Sequence, residues 1–164
     1  MTNVKRHKGL FTGALSLIAL VLFFDQFSKW YLLELVNIDE RPPLTLMPFF
    51  NLVMVWNHGV SFGMFARHDQ PLILIAVTSL VVMVLFVWMW REEKRFVVFS
   101  IATVIGGAIG NIIDRIRFGA VADFFDFHVA GYHWPAFNIA DACIFIGVAL
   151  LVIHSIFLDK TSSR

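Results

Sequence analysis

The sequence predicts an integral membrane protein, mainly α-helical, with four transmembrane helices and a small β-sheet or hairpin on the outer membrane surface. Three observations carry that expectation. Of 164 residues, 59% are hydrophobic and only 15% charged, with a mean hydropathy of +0.76, whereas a soluble domain runs at roughly 45–50% apolar and about 25% charged. Four apolar segments each approach the ~20 residues that a bilayer crossing needs. Between them, Pro and Gly punctuate runs rich in β-branched and aromatic residues, the mark of short strands. With 18 Phe and 5 Trp, the apolar load exceeds what one soluble core of this size can hide, which excludes a soluble globular enzyme as well as a disordered chain.

The first span is expected at about residues 10–33, and it is interrupted by Asp25 and Lys29. Lys5, Arg6 and Lys8 precede it in the manner of a secretory signal. The run continues into Asp25-Gln26-Phe27-Ser28-Lys29 rather than a small-residue cleavage site, so it reads as a retained signal anchor. The second span, 71–90, is uncharged throughout. The third, 96–115, ends in Asp114-Arg115, and the fourth, 138–158, opens on Asn138 and Asp141. Together they make a single membrane domain over residues 1–164, without an internal repeat.

Orientation follows from basic residues near the span ends. One alternation places Lys5, Arg6, Lys8, Arg91, Lys94, Arg95, Lys160 and Arg164 on the cytoplasmic side, eight of the 13 Lys and Arg, so both termini are expected there. Nine of the 12 acids then fall in outer loops or outer halves of spans: Asp25, Glu34, Asp39, Glu40, Asp69, Asp114, Asp123, Asp126 and Asp141. Trp30 and Tyr31 would sit in an outer aromatic belt, Trp88 and Trp90 in an inner one.

Two outer segments remain. Residues 34–70 hold Arg41-Pro42-Pro43, the run Phe49–Trp56, a turn at Asn57-His58-Gly59, and Val60–Phe65, expected to pair as a small sheet or hairpin lying on the membrane. Residues 116–137 read as a loop rich in Phe and His that carries Asp123 and Asp126.

An ionisable group inside a bilayer costs on the order of 3 kcal/mol, so each needs a partner or a function. Asp25 and Lys29, spaced i, i+4, share a helix face. They are either an ion pair with Lys29 snorkelling to the headgroups or a brace for a polar site. Gly106 and Gly110 form a G-x-x-x-G pair that admits a neighbouring backbone, and Gly107, Asn111 and Asp114 step along one face. Asp114 is expected near a helix C-terminus, where the dipole disfavours an anion, with Arg115 and Arg117 placed to offset it. Asn138 and Asp141 have the spacing of an N-cap and its reciprocal acid, and Asp123 and Asp126 read equally as ordinary loop acids.

Taken together, these acids point to chemistry. A carboxylate from the 116–137 segment and one from the start of the fourth span would meet at the outer membrane boundary. Two close carboxylates cannot both ionise easily, so one holds a proton while the other stays anionic. Such a pair hydrolyses a peptide bond without metal or cofactor: the anion takes a proton from water and the acid polarises the carbonyl. His128 and His133 with Asp123 or Asp126 offer a weaker metal-binding alternative, and Ser28 and Ser61 have no evident base. G-x-S-x-G, H-E-x-x-H and P-loop motifs are absent from the sequence. A small proton- or ion-coupled transporter and a non-catalytic membrane assembly factor are the competing readings.

Five segments carry a resemblance: Asp25-Gln26-Phe27-Ser28-Lys29, Asn57-His58-Gly59-Val60-Ser61-Phe62-Gly63, Gly106 through Arg115, Val121-Ala122-Asp123-Phe124 and Phe137-Asn138-Ile139-Ala140-Asp141. In this order the chain resembles the bacterial lipoprotein signal peptidases (signal peptidase II). The resemblance implies an aspartic endopeptidase of the bacterial inner membrane, multi-pass, with its site toward the outer face. It implies a diacylglyceryl-modified prolipoprotein as substrate, cut before the lipidated cysteine, with contact to membrane lipid. Asp123 and Asp141 correspond to the two catalytic aspartates. Asp25, Lys29, Asn57, Gly59, Asn111, Asp114, Arg115 and Asn138 fall on the supporting polar positions. The family's loop reads Val-Val-Asp where this chain has Val121-Ala122-Asp123, and often has Ala where this chain has Ser61. The resemblance favours Asp123 over Asp126, which spacing alone leaves open. No cofactor or metal is expected. The net charge of +1 gives no reason to expect a nucleic-acid partner, and a monomer is expected. The single Cys143 excludes an intramolecular disulfide framework and a cysteine-based metal cluster, and in its apolar stretch it is expected to be a buried, inert thiol.

Overall fold

A computed structural model of the chain describes residues 2–59 and 70–158. Helix α1 (Thr2–Trp30) widens into a π turn over Tyr31–Leu35, followed by a 3-10 turn at Ile38–Glu40. Strands β1 (Leu44–Met47) and β2 (Phe50–Asn57) come next, then helices α2 (Gln70–Arg91) and α3 (Arg95–Phe118). Strands β3 (Val121–Val129) and β4 (Tyr132–His133) precede helix α4 (Ile139–Ile153), which ends in a π turn over His154–Leu158. Among the described residues, four helical stretches are long and apolar enough to cross a membrane: Lys8–Leu35, Pro71–Arg91, Arg95–Phe118 and Ile139–Phe157.

Helix α3 is the axis of the bundle. About 67% of its most apolar stretch is buried, against 11% in α2 and in α4, whose outward residues such as Leu72, Val84 and Phe145 are apolar and exposed. That inversion of the soluble pattern suits a solvent of lipid, where helix association relies on close packing rather than on hiding apolar surface. The third-span glycines supply the packing. A Cβ at Gly106 would meet Val21 of α1 at 2.8 Å, one at Gly110 would meet Asp25 Oδ2 at 2.5 Å, and one at Gly107 would collide with the Ala140 carbonyl of α4. The G-x-x-x-G pair therefore faces α1, and Gly107 faces α4. Cys143 on α4 is half-buried rather than buried.

The sheet is antiparallel in the order β1-β2-β3-β4. The expected partner of β2, Val60–Phe65, lies outside the described residues along with Ser61; among the described residues β2 pairs with β1 and β3. One expectation is overturned. Residues 116–137, expected as a loop, contain the nine-residue strand β3. The cause is a chain reversal at Gly119, which caps α3 in the left-handed region (φ 74°) with its N–H on the Arg115 carbonyl at 3.1 Å. The reversal sends β3 back alongside β2. An isolated bridge between Phe125 and Phe137 then ties the approach to α4 onto β3, which sets Asn138 beside Asp123.

Candidate active site

The site lies where β3, the C-terminal half of α3 and the first turn of α4 meet. Asp123, on β3, is 1% exposed. Its Oδ2 accepts from Asn57 Nδ2 at 2.9 Å and its Oδ1 from Asn138 Nδ2 at 2.7 Å. Asp141 Oδ1 accepts from Asn111 Nδ2 at 2.7 Å, and its Oδ2 from the Asn138 backbone N–H at 3.3 Å. Asn138 bonds both carboxyl groups, through its side chain to Asp123 and its backbone N–H to Asp141, and so holds them side by side.

Backbone donors fix how these amides point, because an N–H can only donate. Gly59 N–H donates to Asn57 Oδ1 at 2.8 Å, in a turn that Gly59 makes at φ 90°. Asp141 N–H donates to Asn138 Oδ1 at 2.9 Å. Each amide must therefore turn its NH₂ toward Asp123. Asn138 Nδ2 also reaches Asn111 Oδ1 at 3.3 Å, which leaves the Asn111 NH₂ for Asp141. Three asparagine side chains and three backbone N–H groups thus orient both carboxylates without adding a charge. The Asn138–Asp141 capping box expected from spacing is present, so Asp141 is at once a helix cap and a member of the pair.

Burial and the neighbouring Asp141 carboxylate, in that order, push the Asp123 carboxyl up to about 7, against the pull of the Asn57 and Asn138 hydrogen bonds. At neutral pH the pair can hold one proton between a donor and an acceptor, the state that acid–base hydrolysis requires.

Behind the pair, Asp25, Lys29 and Asp114 are 0%, 1% and 0% exposed. Lys29 Nζ lies 2.8 Å from both Asp25 Oδ2 and Asp114 Oδ2. Lys29 is therefore buried and does not snorkel to the headgroups, and the direct ion-pair partner of Asp114 is Lys29, with Arg115 adding its field. The α3 helix continues past Asp114 to Phe118, so Asp114 is an interior residue of the helix. Arg115 lies in the field of Asp141, Asp114 and Asp123, and its Nη1 reaches the Asn111 carbonyl at 3.4 Å. Gln26, which the sequence reading did not single out, donates to Asp25 Oδ2 (3.1 Å), Asp114 Oδ1 (3.0 Å) and the Gly110 carbonyl (3.4 Å). Its signal was its position three residues before Lys29, on the same helix face.

Asp126 stands apart from this constellation. Three residues along a strand from Asp123, it points to the other face of the sheet, where its carboxylate meets His133 Nδ1 at 2.8 Å and Asn51 Nδ2 at 3.0 Å. Burial works to raise its pKa, but those hydrogen bonds outweigh it and hold the group below the usual range. His128 stacks on His133 with ring centroids 4.9 Å apart. Among the described residues, no group of three or more His, Cys, Asp or Glu is arranged to hold a metal ion. Ser28 Oγ is engaged by the Asp25 carbonyl at 2.8 Å.

Beside Asp141 a cavity of about 400 Å³ opens between the sheet and α4, lined by Trp134, Phe137, Asp141, Ala142, Phe145 and Ile146. An apolar slot with one carboxylate in its wall suits a lipid-bearing ligand better than a free ion.

Comparison with known proteins identifies the family. The family model for signal peptidase (SPase) II matches residues 17–157. A protein named lipoprotein signal peptidase from Methylobacterium sp. (strain 4-46) is 41% identical over 153 residues, covering 92% of this chain and 90% of its own. Another of that name from Nitrobacter hamburgensis is 42% identical over 160 residues, covering 93% and 96%. A bacterial membrane enzyme structure obtained by the in meso method at 2.3 Å resolution superposes with a TM-score of 0.78 at 27% identity, covering 93% of this chain and 92% of that one. The family match and the two relatives, over a four-helix membrane fold, show that the chain belongs to the signal peptidase II family of aspartic peptidases.

Proposed function

We propose that the protein removes the signal peptide from diacylglyceryl-modified prolipoproteins, with Asp123 and Asp141 as the catalytic residues. The observation that carries the reading is the carboxyl pair held by neutral amides, with Asp123 raised to about 7. Asp123 keeps the shared proton and Asp141 is the anion. Asp141 takes a proton from water as its oxygen attacks the scissile carbonyl carbon, while Asp123 gives its proton to the carbonyl oxygen. On collapse of the tetrahedral intermediate the C–N bond breaks. Asp141 then passes its proton to the leaving amine of the lipidated cysteine and Asp123 recovers one from the diol, so both groups return to their starting state.

A lipidated substrate approaches from within the bilayer, and the apolar slot beside Asp141 is consistent with that approach. On this reading the protein sits in the bacterial inner membrane, with both termini cytoplasmic and the site toward the outer face. It acts as a monomer, in contact with membrane lipid. The alternative of an ion-coupled transporter loses its support, since the family match spans residues 17–157.

The test is incubation of the purified protein in detergent with a diacylglyceryl-modified prolipoprotein, followed by mass analysis of the product. Asp123→Asn and Asp141→Asn, each checked for folding, should abolish cleavage. Substantial turnover by either variant overturns the assignment.

A further inference from the structure

Asp25 and Asp114 are each hydrogen-bonded to the residue immediately before a member of the pair. Asp25 Oδ1 accepts from the Ala140 N–H at 3.0 Å, one residue before Asp141. Asp114 Oδ2 accepts from the Ala122 N–H at 3.2 Å, one residue before Asp123. The positions of Asp25 and Asp114 therefore reach the spacing of the two candidate catalytic carboxylates through a single peptide unit on each side.

Two groups join Asp25 to Asp114. Lys29 does so through one atom, Nζ, 2.8 Å from an oxygen of each. A bridge through one atom fixes a separation but lets the two carboxylates pivot about it. Gln26 supplies a second bridge: Nε2 donates to Asp25 Oδ2 and to Asp114 Oδ1, the oxygen that Lys29 does not hold. Two bridges to different oxygens of Asp114 remove the pivot. Gln26 is itself tied to α3 through the Gly110 carbonyl, where the missing Cβ lets α1 approach. With two acids and one cation the cluster carries one excess negative charge in a buried place. A neutral donor shared by both carboxylates eases that excess, where an apolar side chain would not.

We infer that Gln26 is a positioning residue for the reaction: by locking Asp25 to Asp114 it sets, through the Ala140 and Ala122 amides, the separation of Asp141 and Asp123. The inference rests on the assignment of that pair as the dyad. Gln26 bonds Asp25, Asp114 and the Gly110 carbonyl and acts on the pair only through them, so its loss is expected to fall on kcat rather than KM. Lys29 remains in place without it, so the helices still associate. A looser pair is farther apart and better hydrated, and both changes favour ionisation of Asp123.

The experiment is steady-state cleavage of a diacylglyceryl-modified prolipoprotein by Gln26→Met across pH, normalised to monodisperse protein from size exclusion. Gln26→Asn, whose amide is one methylene short of both carboxylates, serves if Gln26→Met does not fold. The expected result is a kcat lower by roughly ten- to a hundredfold, the cost of a small misplacement of reacting groups. KM should stay within about twofold, and the alkaline limb of the pH profile should move to lower pH. Wild-type kcat and pH profile overturn the inference, as does a raised KM with kcat unchanged, or a loss confined to the yield of folded protein. Asp123→Asn and Asp141→Asn are run alongside. If either is active, the dyad reading fails; if both are dead and Gln26→Met is normal, only the role of Gln26 fails.

Discussion

Replacing Asn57 by Ala tests which carboxyl holds the shared proton. Asn57 Nδ2 donates to Asp123 Oδ2 at 2.9 Å and stabilises the ionised form, so its removal raises the Asp123 pKa. The reactive state needs Asp123 protonated, hence the rate falls as pH rises through that pKa, about 7 in the intact site. A hydrogen bond to a charged group contributes about 1.5–3 kcal/mol, and one pKa unit corresponds to about 1.4 kcal/mol. Asn57 is exposed, so water replaces part of the lost bond and the lower end applies, giving an upward shift of about one unit. At pH 8 the wild type should retain about a tenth of its own maximal rate, and Asn57→Ala about half of its lower maximum. The assay is kcat/KM for prolipoprotein cleavage between pH 5 and 9. A limb that stays put or moves to lower pH would refute the reasoning, because Asp123 would then not be the acid. The sign is opposite to that expected for Gln26→Met, so general loosening of the site cannot imitate it.

Two further outcomes rest on the same geometry. Lys29→Met leaves Asp25 and Asp114 buried without their cation; breaking such a pair costs about 3–5 kcal/mol, or roughly 6–20 °C in detergent at about 2–4 °C per kcal/mol. Lys29→Met/Asp114→Asn restores the original net charge and should recover part of the loss, whereas an unchanged melting temperature in Lys29→Met would show that the cluster adds nothing to stability. Asp126→Asn removes the anion facing His133 and Asn51 but leaves the dyad intact, so cleavage should stay within about threefold; abolition would transfer the catalytic role from Asp123 to Asp126.

The helices were legible in the sequence because a bilayer permits only apolar residues on their outer faces, and a run such as Pro71–Trp90 has no other economical use. The sheet was legible as a sheet but not in its pairing. Val121–Val129 is apolar on both faces apart from Asp123, Asp126 and His128, which hides the period of two, and its partner β2 lies far back in the chain. The same gap kept the choice between Asp123 and Asp126 open until the resemblance favoured one. Only the strand itself shows that they face opposite ways. Lys29 was half read: its i, i+4 partner Asp25 is local, but Asp114 lies on another helix, and Gln26 meets it across 88 residues of sequence. Buried charge is decided by such long-range pairs, and no local spacing announces them.

The pair keeps its proton for two reasons, burial first and the neighbouring carboxylate second. Asp123 is 1% exposed, so its ionised form has lost most of its water. A second ionisation would also place two anions side by side. Lys29 cannot relieve this, because both of its ion pairs are with carboxylates other than the dyad. The groups that do touch Asp123 and Asp141 are amides, which fix direction without supplying charge. The amides therefore set orientation and also pull against the burial and the neighbouring anion that raise the Asp123 pKa. An amide can be changed to move that pKa by about a unit without touching the ion pairs behind the dyad, while a change at Lys29 acts first on Asp25 and Asp114.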